Sequence, residues 1–333
     1  MEYWIWFAAA GLLGLNIIMG AGIIAADRRQ RKKELPDSTD GRNEDISEDV
    51  FSRFLPEELL GMIGIDDVSV PPADILAGQE EVQAVILHGN IAEFQELIHV
   101  MGTKEVYALI NRVLSHTVPA VYGNGGMVDS YQDAGIRALF TGQMESGLNA
   151  AVLICERMLQ VEDDRGGRDF SVGLCFGKVS IGVVGYGRKL SVLTLSTYTG
   201  FGEFLQRMGP KYYAKILAAG SYVDHIRGFE KNYNYRLLGI FFVRDTGSEE
   251  KIYDIFDGDE AGTRNRKRKT KMLFEKGVAL FLGREFEEAR IYFIEVLKAD
   301  HSDRAAREYV YLCDTYGGME GDEEPAQMYL EYF

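Results

Sequence analysis

Three cysteines and five histidines are the side chains that could ligate a soft metal or act as nucleophiles. Cys155, Cys175 and Cys313 are scattered, odd in number and lack the paired spacing of a metal site. They read as reduced, buried thiols. The histidines are equally dispersed, and no H-E-x-x-H pattern occurs, so a structural zinc is not expected. Acidic groups dominate, with 51 Asp and Glu against 36 Lys and Arg and a formal net charge of -15. Binding to nucleic acid through its phosphates needs clustered cations, so nucleic acid is not expected as a partner. The one basic run, RNRKRKTK at 264–271, reads as a solvated hinge.

The elements that must position any site follow from periodicity. From Tyr3 to Ala26 the chain carries no charge over 24 residues, enough to cross a bilayer. Tyr3, Trp4 and Trp6 lie at one end, and Arg28, Arg29, Arg31, Lys32 and Lys33 follow the other. This predicts an uncleaved single-pass anchor in the inner membrane, N-terminus out and the bulk of the chain cytoplasmic. Gly11, Gly14 and Gly20 to Gly22 leave close approach of two such helices open. An acidic linker fills 27–50, and an amphipathic helix follows at 51–64. Beyond it the pattern predicts a buried strand at 82–87, one helix at 94–114 and a hairpin through Phe140. A helix at 147–158 comes next, then two strands around a Gly177-Lys178 turn within 170–185. Helices at 199–208 and 212–219 precede strands at 235–243 and 251–256. That order gives an α+β domain on a mostly antiparallel sheet with packed helices. Phe274, Gly277, Leu280, Gly283, Phe286, Ala289 and Phe293 have the spacing of one tetratricopeptide-like hairpin, and a helix follows at 304–316. One such repeat cannot bury its apolar face alone, so it must pack on the domain, a second chain or a partner. The domains are thus an anchor at 1–26, a linker at 27–50, a folded domain at 51–260 and a helical tail at 261–333.

Four stretches resemble the class III adenylate/guanylate cyclase family, most of all its membrane-anchored bacterial members. They are FSRFLPEELLGMIGIDDV, FQELIHVMGTKEVYALINRVLSHTVPAVYGNGGMVDSYQDAGIRALF, VGLCFGKVSIGVVGYGRK and YRLLGIFFVRDTGSEEKIYDIF. The resemblance implies a ferredoxin-like cyclase fold and a head-to-tail dimer with sites shared between protomers. It also implies a reaction needing two divalent metals held by two Asp. The first Asp lies four residues before the Phe of D-I-R-G-F-T, which puts Asn90 there. The second lies in K-F-I-G-D-A, which aligns on Ala134 beside Asp133; only a bulge would turn Asp133 to the required face. The base-binding Lys falls on Ser130 and its partner on Leu193. The Asn and the Arg four residues later, which stabilise phosphate charge, fall on Gly200 and Phe204. Losing one such electrostatic group costs ~10²–10³ in rate. All six positions depart from the pattern. The expectation is therefore a catalytically inactive cyclase-like protein, not an enzyme and without metal or cofactor. It would act as a scaffold or regulatory interaction module, self-associating or joined to a membrane complex. The competing readings are an active cyclase with displaced ligands and a ligand-sensing pseudo-cyclase. Leu193 and Phe204 are expected to face a partner, or else to fill a vacated pocket.

Overall fold

The computed structural model describes residues 61–62, 79–161, 170–186, 189–243, 247–318 and 329–330. The proposed anchor, the linker and nearly all of the 51–64 helix lie outside the described residues.

Among the described residues a nine-stranded mixed sheet organises the chain, eight strands running in the order β2-β3-β1-β4-β6-β8-β7-β9 and the ninth, β5, pairing with β4 off this path. Strand β1 (Gln79–Ile91) is its spine, antiparallel to β3 (Gly135–Phe140) on one side and to β4 (Phe170–Tyr186) on the other. The hairpin partner of β3 is β2 (Met127–Gln132). On β1, Ala84 to Leu87 are wholly buried, so both faces of the sheet are covered. One face is covered by α2 (Thr103–Gly123) and α3 (Met144–Met158), the other by α4 (Thr197–Tyr212).

Several expected elements are redrawn. The single helix expected at 94–114 is two, α1 (Phe94–Val100) and α2, because Met101 and Gly102 adopt extended backbone between them. The expected turn at Gly177-Lys178 is absent: β4 runs unbroken through it for 17 residues. Gly177 serves close approach instead, since a Cβ there would collide with the Tyr198 ring. The true partner of this strand is β5 (Lys189–Leu195). The expected helix at 212–219 is β6 (Ile216–Ala219), four buried residues between β4, to which it is parallel, and β8 (Ser248–Ile255). Short apolar runs buried on both faces carry no period to distinguish strand from helix. Two single-turn helices, α5 (Gly220–Val223) and α6 (Phe229–Asn232), lead into β7 (Tyr235–Val243). Beyond β7 lies β9 (Tyr329–Leu330), parallel to it.

The tail forms α7 (Ala261–Leu282), α8 (Phe286–Ala299) and α9 (Arg304–Gly317), packed in sequence, with α7 against β7. The basic run is no hinge. It lies inside α7, where Lys267 is buried and ion-paired to Asp254 and Asp259. Among the described residues no helix is long and apolar enough to cross a membrane. The expected single-pass membrane placement finds no support in the structure and is withdrawn.

Candidate functional site

A cleft of ≈ 630 Å³ opens where the end of β1, the β2–β3 turn and α4 converge. Of the six expected positions, only Asn90 lines it. Its amide is already engaged: Oδ1 accepts from the backbone N–H of Ile91 at 2.8 Å, and Nδ2 donates to the Gln132 carbonyl at 3.4 Å. Ala134 is fully buried in the turn. Beside it Asp133 adopts φ 53°, the left-handed conformation that favours glycine. The Asp133 carboxylate nonetheless reaches the cleft rim and accepts from Gln95 Nε2 at 3.1 Å.

The bulge named as the possible rescue exists, but earlier in the strand. Strand β2 slips register between Val128 and Ser130, leaving Asp129 as the extra residue. Asp129 and Ser130 both flank Arg137 of β3. The Arg137 guanidinium pairs with Asp129 and donates to Thr194 of β5 at 3.0 Å, while Thr194 Oγ1 donates to Asp129 at 2.8 Å. Ser130 Oγ is buried without a hydrogen-bond partner among the described residues. This row of polar groups ties β5 to the β2–β3 hairpin and stands outside the cleft.

Helix α4 supplies the other wall, and its phase decides which residues reach it. Phe201, Phe204, Leu205 and Met208 are buried. Phe204 stacks on Phe201, with ring centroids 6.4 Å apart. The next face of the helix carries Glu203, Gln206, Arg207 and Pro210 into the cleft. Gly200 does not line it. The pair spaced by four that addresses the cleft is thus Glu203 and Arg207. The apolar stripe at 201, 204, 205 and 208 was the available signal, since it assigns Phe204 to the core. Gln206 holds the wall in place, donating to Ser171 Oγ at 2.9 Å and to the Asn90 carbonyl at 3.4 Å.

His88 lines the cleft but is only 2% exposed, and its Nε2 has no hydrogen-bond partner among the described residues. Burial first, and the positive charge of Arg137 second, lower its pKa from 6.5 to about 3. It is a neutral imidazole at physiological pH. Nothing in the sequence reading singled it out.

The donor set does not fit the two divalent cations that the resemblance implies. Asn90 is neutral and committed, Ala134 offers no ligand, and no group of three or more His, Cys, Asp or Glu among the described residues could hold a metal ion.

No family model matches the chain. In sequence it is 24% identical over 277 residues to an adenylate cyclase of Dictyostelium discoideum, described as terminal-differentiation specific. That match takes in 80% of this chain but only 13% of the relative's length. In structure it resembles a bacterial light-regulated adenylyl cyclase, with a TM-score of 0.55, 16% identity and coverage of 68% of this chain and 67% of the other. A second structure of such an enzyme gives the same TM-score over 71% and 72%. The described domain has the class III nucleotide cyclase fold. The cyclase-like domain's matched relatives are named as adenylyl cyclases, and a shared fold carries no mark of degeneracy. The expectation that the chain is not an enzyme is overturned on that finding.

Proposed function

We propose that this cyclase-like chain works as a self-associating regulatory module, with the β4–β5 hairpin as its contact surface. One observation carries the reading. Ser180, Gly182 and Val184 of β4 lie opposite Leu195, Leu193 and Ser191 of β5, so their side chains share one face. On that face Val184, Leu193 and Leu195 are 45%, 39% and 61% exposed. The opposite face, with Ile181, Val183 and Thr194, is buried against the body of the domain. A hairpin that is held firmly on one side and apolar on the other is built to be covered. Each such side chain would contribute roughly 1.5–3 kcal/mol on burial. The partner favoured is a second copy. Phe204, the other residue expected at an interface, fills its own core instead. The tail, read as one tetratricopeptide-like unit and a further helix, packs against the domain through α7 and β7, so it does not cover the hairpin. Sedimentation velocity on the full chain tests this. Wild type should associate with rising concentration, and Leu193→Arg with Leu195→Arg should abolish association without changing the melting temperature. A monomeric wild-type chain at high concentration would remove the proposal.

A second reading is favoured by the cleft itself: a cyclase with displaced ligands, in which Asp133, Glu203 and Arg207 serve a nucleoside triphosphate. A turnover assay with ATP and GTP tests it. Activity that vanishes in both Asp133→Ala and Arg207→Ala would support this reading.

A further inference from the structure

Strand β7 is bordered by β8 on one side, and its other side is met in two different ways. Near its start the tail supplies side chains. Glu275 of α7 accepts from the Leu237 N–H at 2.9 Å, and the Tyr309 hydroxyl of α9 donates to the Leu238 carbonyl at 2.6 Å. The ladder to β8 slips between Leu237 and Gly239, and regular alternation resumes beyond that bulge. At the far end the Val243 carbonyl accepts from the Gly247 N–H at 2.9 Å, inside the turn to β8. Val243 thus faces β8, and by alternation the backbone groups of Ile240 and Phe242 point away from it.

Those two outward residues have different neighbours. Strand β9 runs parallel to β7 with Tyr329 opposite Phe242 and Leu330 opposite Val243. No strand among the described residues lies beside Ile240. Two residues of ladder are a weak hold, and parallel pairing is the less stable kind per residue. Residues 318–328 join α9 to β9 and would span roughly 36 Å when extended, so the tether leaves β9 free to come away. The margin also offers more than β9 uses. Ile240 and Phe242 are half-buried and alternate with buried Phe241 and Val243, the pattern of a strand that can take one more neighbour along its length.

We propose that the β7 margin from Gly239 to Val243 is a docking site for an extended segment of a partner protein, which adds to the sheet as a parallel strand and displaces β9. The chain's own C-terminal strand states the chemistry that fits: an aromatic residue opposite Phe242, then an aliphatic one opposite Val243. A partner improves on it by carrying an apolar residue two places earlier, opposite Ile240, and by bonding to the Ile240 backbone as well. In this chain that place falls on Gln327. Strand β9 is then a competitor in cis, whose covalent link raises the apparent Kd of the partner. The site stands apart from the cleft and the β4–β5 hairpin and rests on neither reading of the preceding section.

The test is fluorescence anisotropy on the full chain, with a labelled peptide of residues 326–333 carrying Gln327→Val as the probe. In the protein, Tyr329→Pro with Leu330→Pro removes both N–H groups of β9 and leaves the melting temperature unchanged, because the strand is two residues long and close to the C-terminus. That variant should bind the peptide about tenfold more tightly than wild type does. A peptide carrying the same two prolines should not bind, and the peptide that keeps Gln327 should bind several-fold more weakly than its valine form. Equal affinity for the wild-type and proline chains, no saturable binding to the proline chain, binding that survives prolines in the peptide, or a valine form no tighter than the glutamine form overturns the proposal.

Discussion

His88 is a base kept where it cannot take a proton. In the unfolded chain its imidazole titrates near 6.5; in the fold it titrates at about 3. The folded pKa is the lower one, so the stability tied to neutral His88 is whole above pH 6.5 and drains as pH falls towards about 3. Within that window the residue costs ~1.4 kcal/mol per pH unit. His88→Phe should therefore flatten the acid limb of stability relative to wild type, as read by urea denaturation at stepped pH. Parallel limbs would show the imidazole to be protonated in the fold. Gly173 makes a second residue-scale prediction. A Cβ there would strike the backbone of α4 at the Gly202 carbonyl and the Gln206 N–H, neither of which can swing aside. Gly173→Ala should lose ~1–3 kcal/mol by forcing strand and helix apart, measurable by the same denaturation.

At the scale of elements, the amphipathic pieces and the buried run of β1 were readable, while β6 and the course of β4 were not. The β2–β3 hairpin, α3 and the β7–β8 pair alternate or repeat visibly, and they lie close to where periodicity put them. Strand β6 has no polar side to give it a period, and an internal Gly in β4 imitated a turn. In the cleft, Asn90 was legible because β1 leads straight into it. Glu203 and Arg207 escape a motif register along α4, because such a register is blind to which side of the helix faces the core. Nor does any spacing rule foretell that the β2 bulge places Asp129 beside Arg137. That pair pins β5, and it makes a prediction for the element. Asp129 is nearly inaccessible, so Asp129→Ala leaves the largely buried guanidinium without its counterion. The expected loss is ~3–5 kcal/mol. Amide hydrogen exchange in Lys189–Leu195 should accelerate more than exchange in β1; uniform acceleration would mean that the pair does not anchor the hairpin.

Across the whole molecule, the tail and the sheet are one folded body. Arg236 of β7 is fully buried and pairs with Asp254 of β8 at 2.9 Å and with Asp303 at 2.5 Å. Its guanidinium also lies 4.1 Å from the ring centroid of Phe274 in α7. Asp303 in turn caps α9 by accepting from the Ala306 N–H. Burial alone would raise the Asp303 pKa; Arg236 and that N–H outweigh burial and lower it. Removing any member strands charge in a dry interior, so Asp303→Ala should cost ~3–5 kcal/mol and melt tail and sheet together in a single transition. Two separated transitions in calorimetry would show the tail to be an independent domain. The sheet's far side ends differently. Strand β7 would present a row of open backbone donors and acceptors, but Tyr329–Leu330 lie along Phe242 and Val243 as a parallel strand. A bare, apolar sheet margin is a template on which further chains stack without limit. Pairing with Tyr329–Leu330 closes Phe242 and Val243 of that margin to such stacking, a protection to be read in solubility over time rather than in the stability of any one molecule.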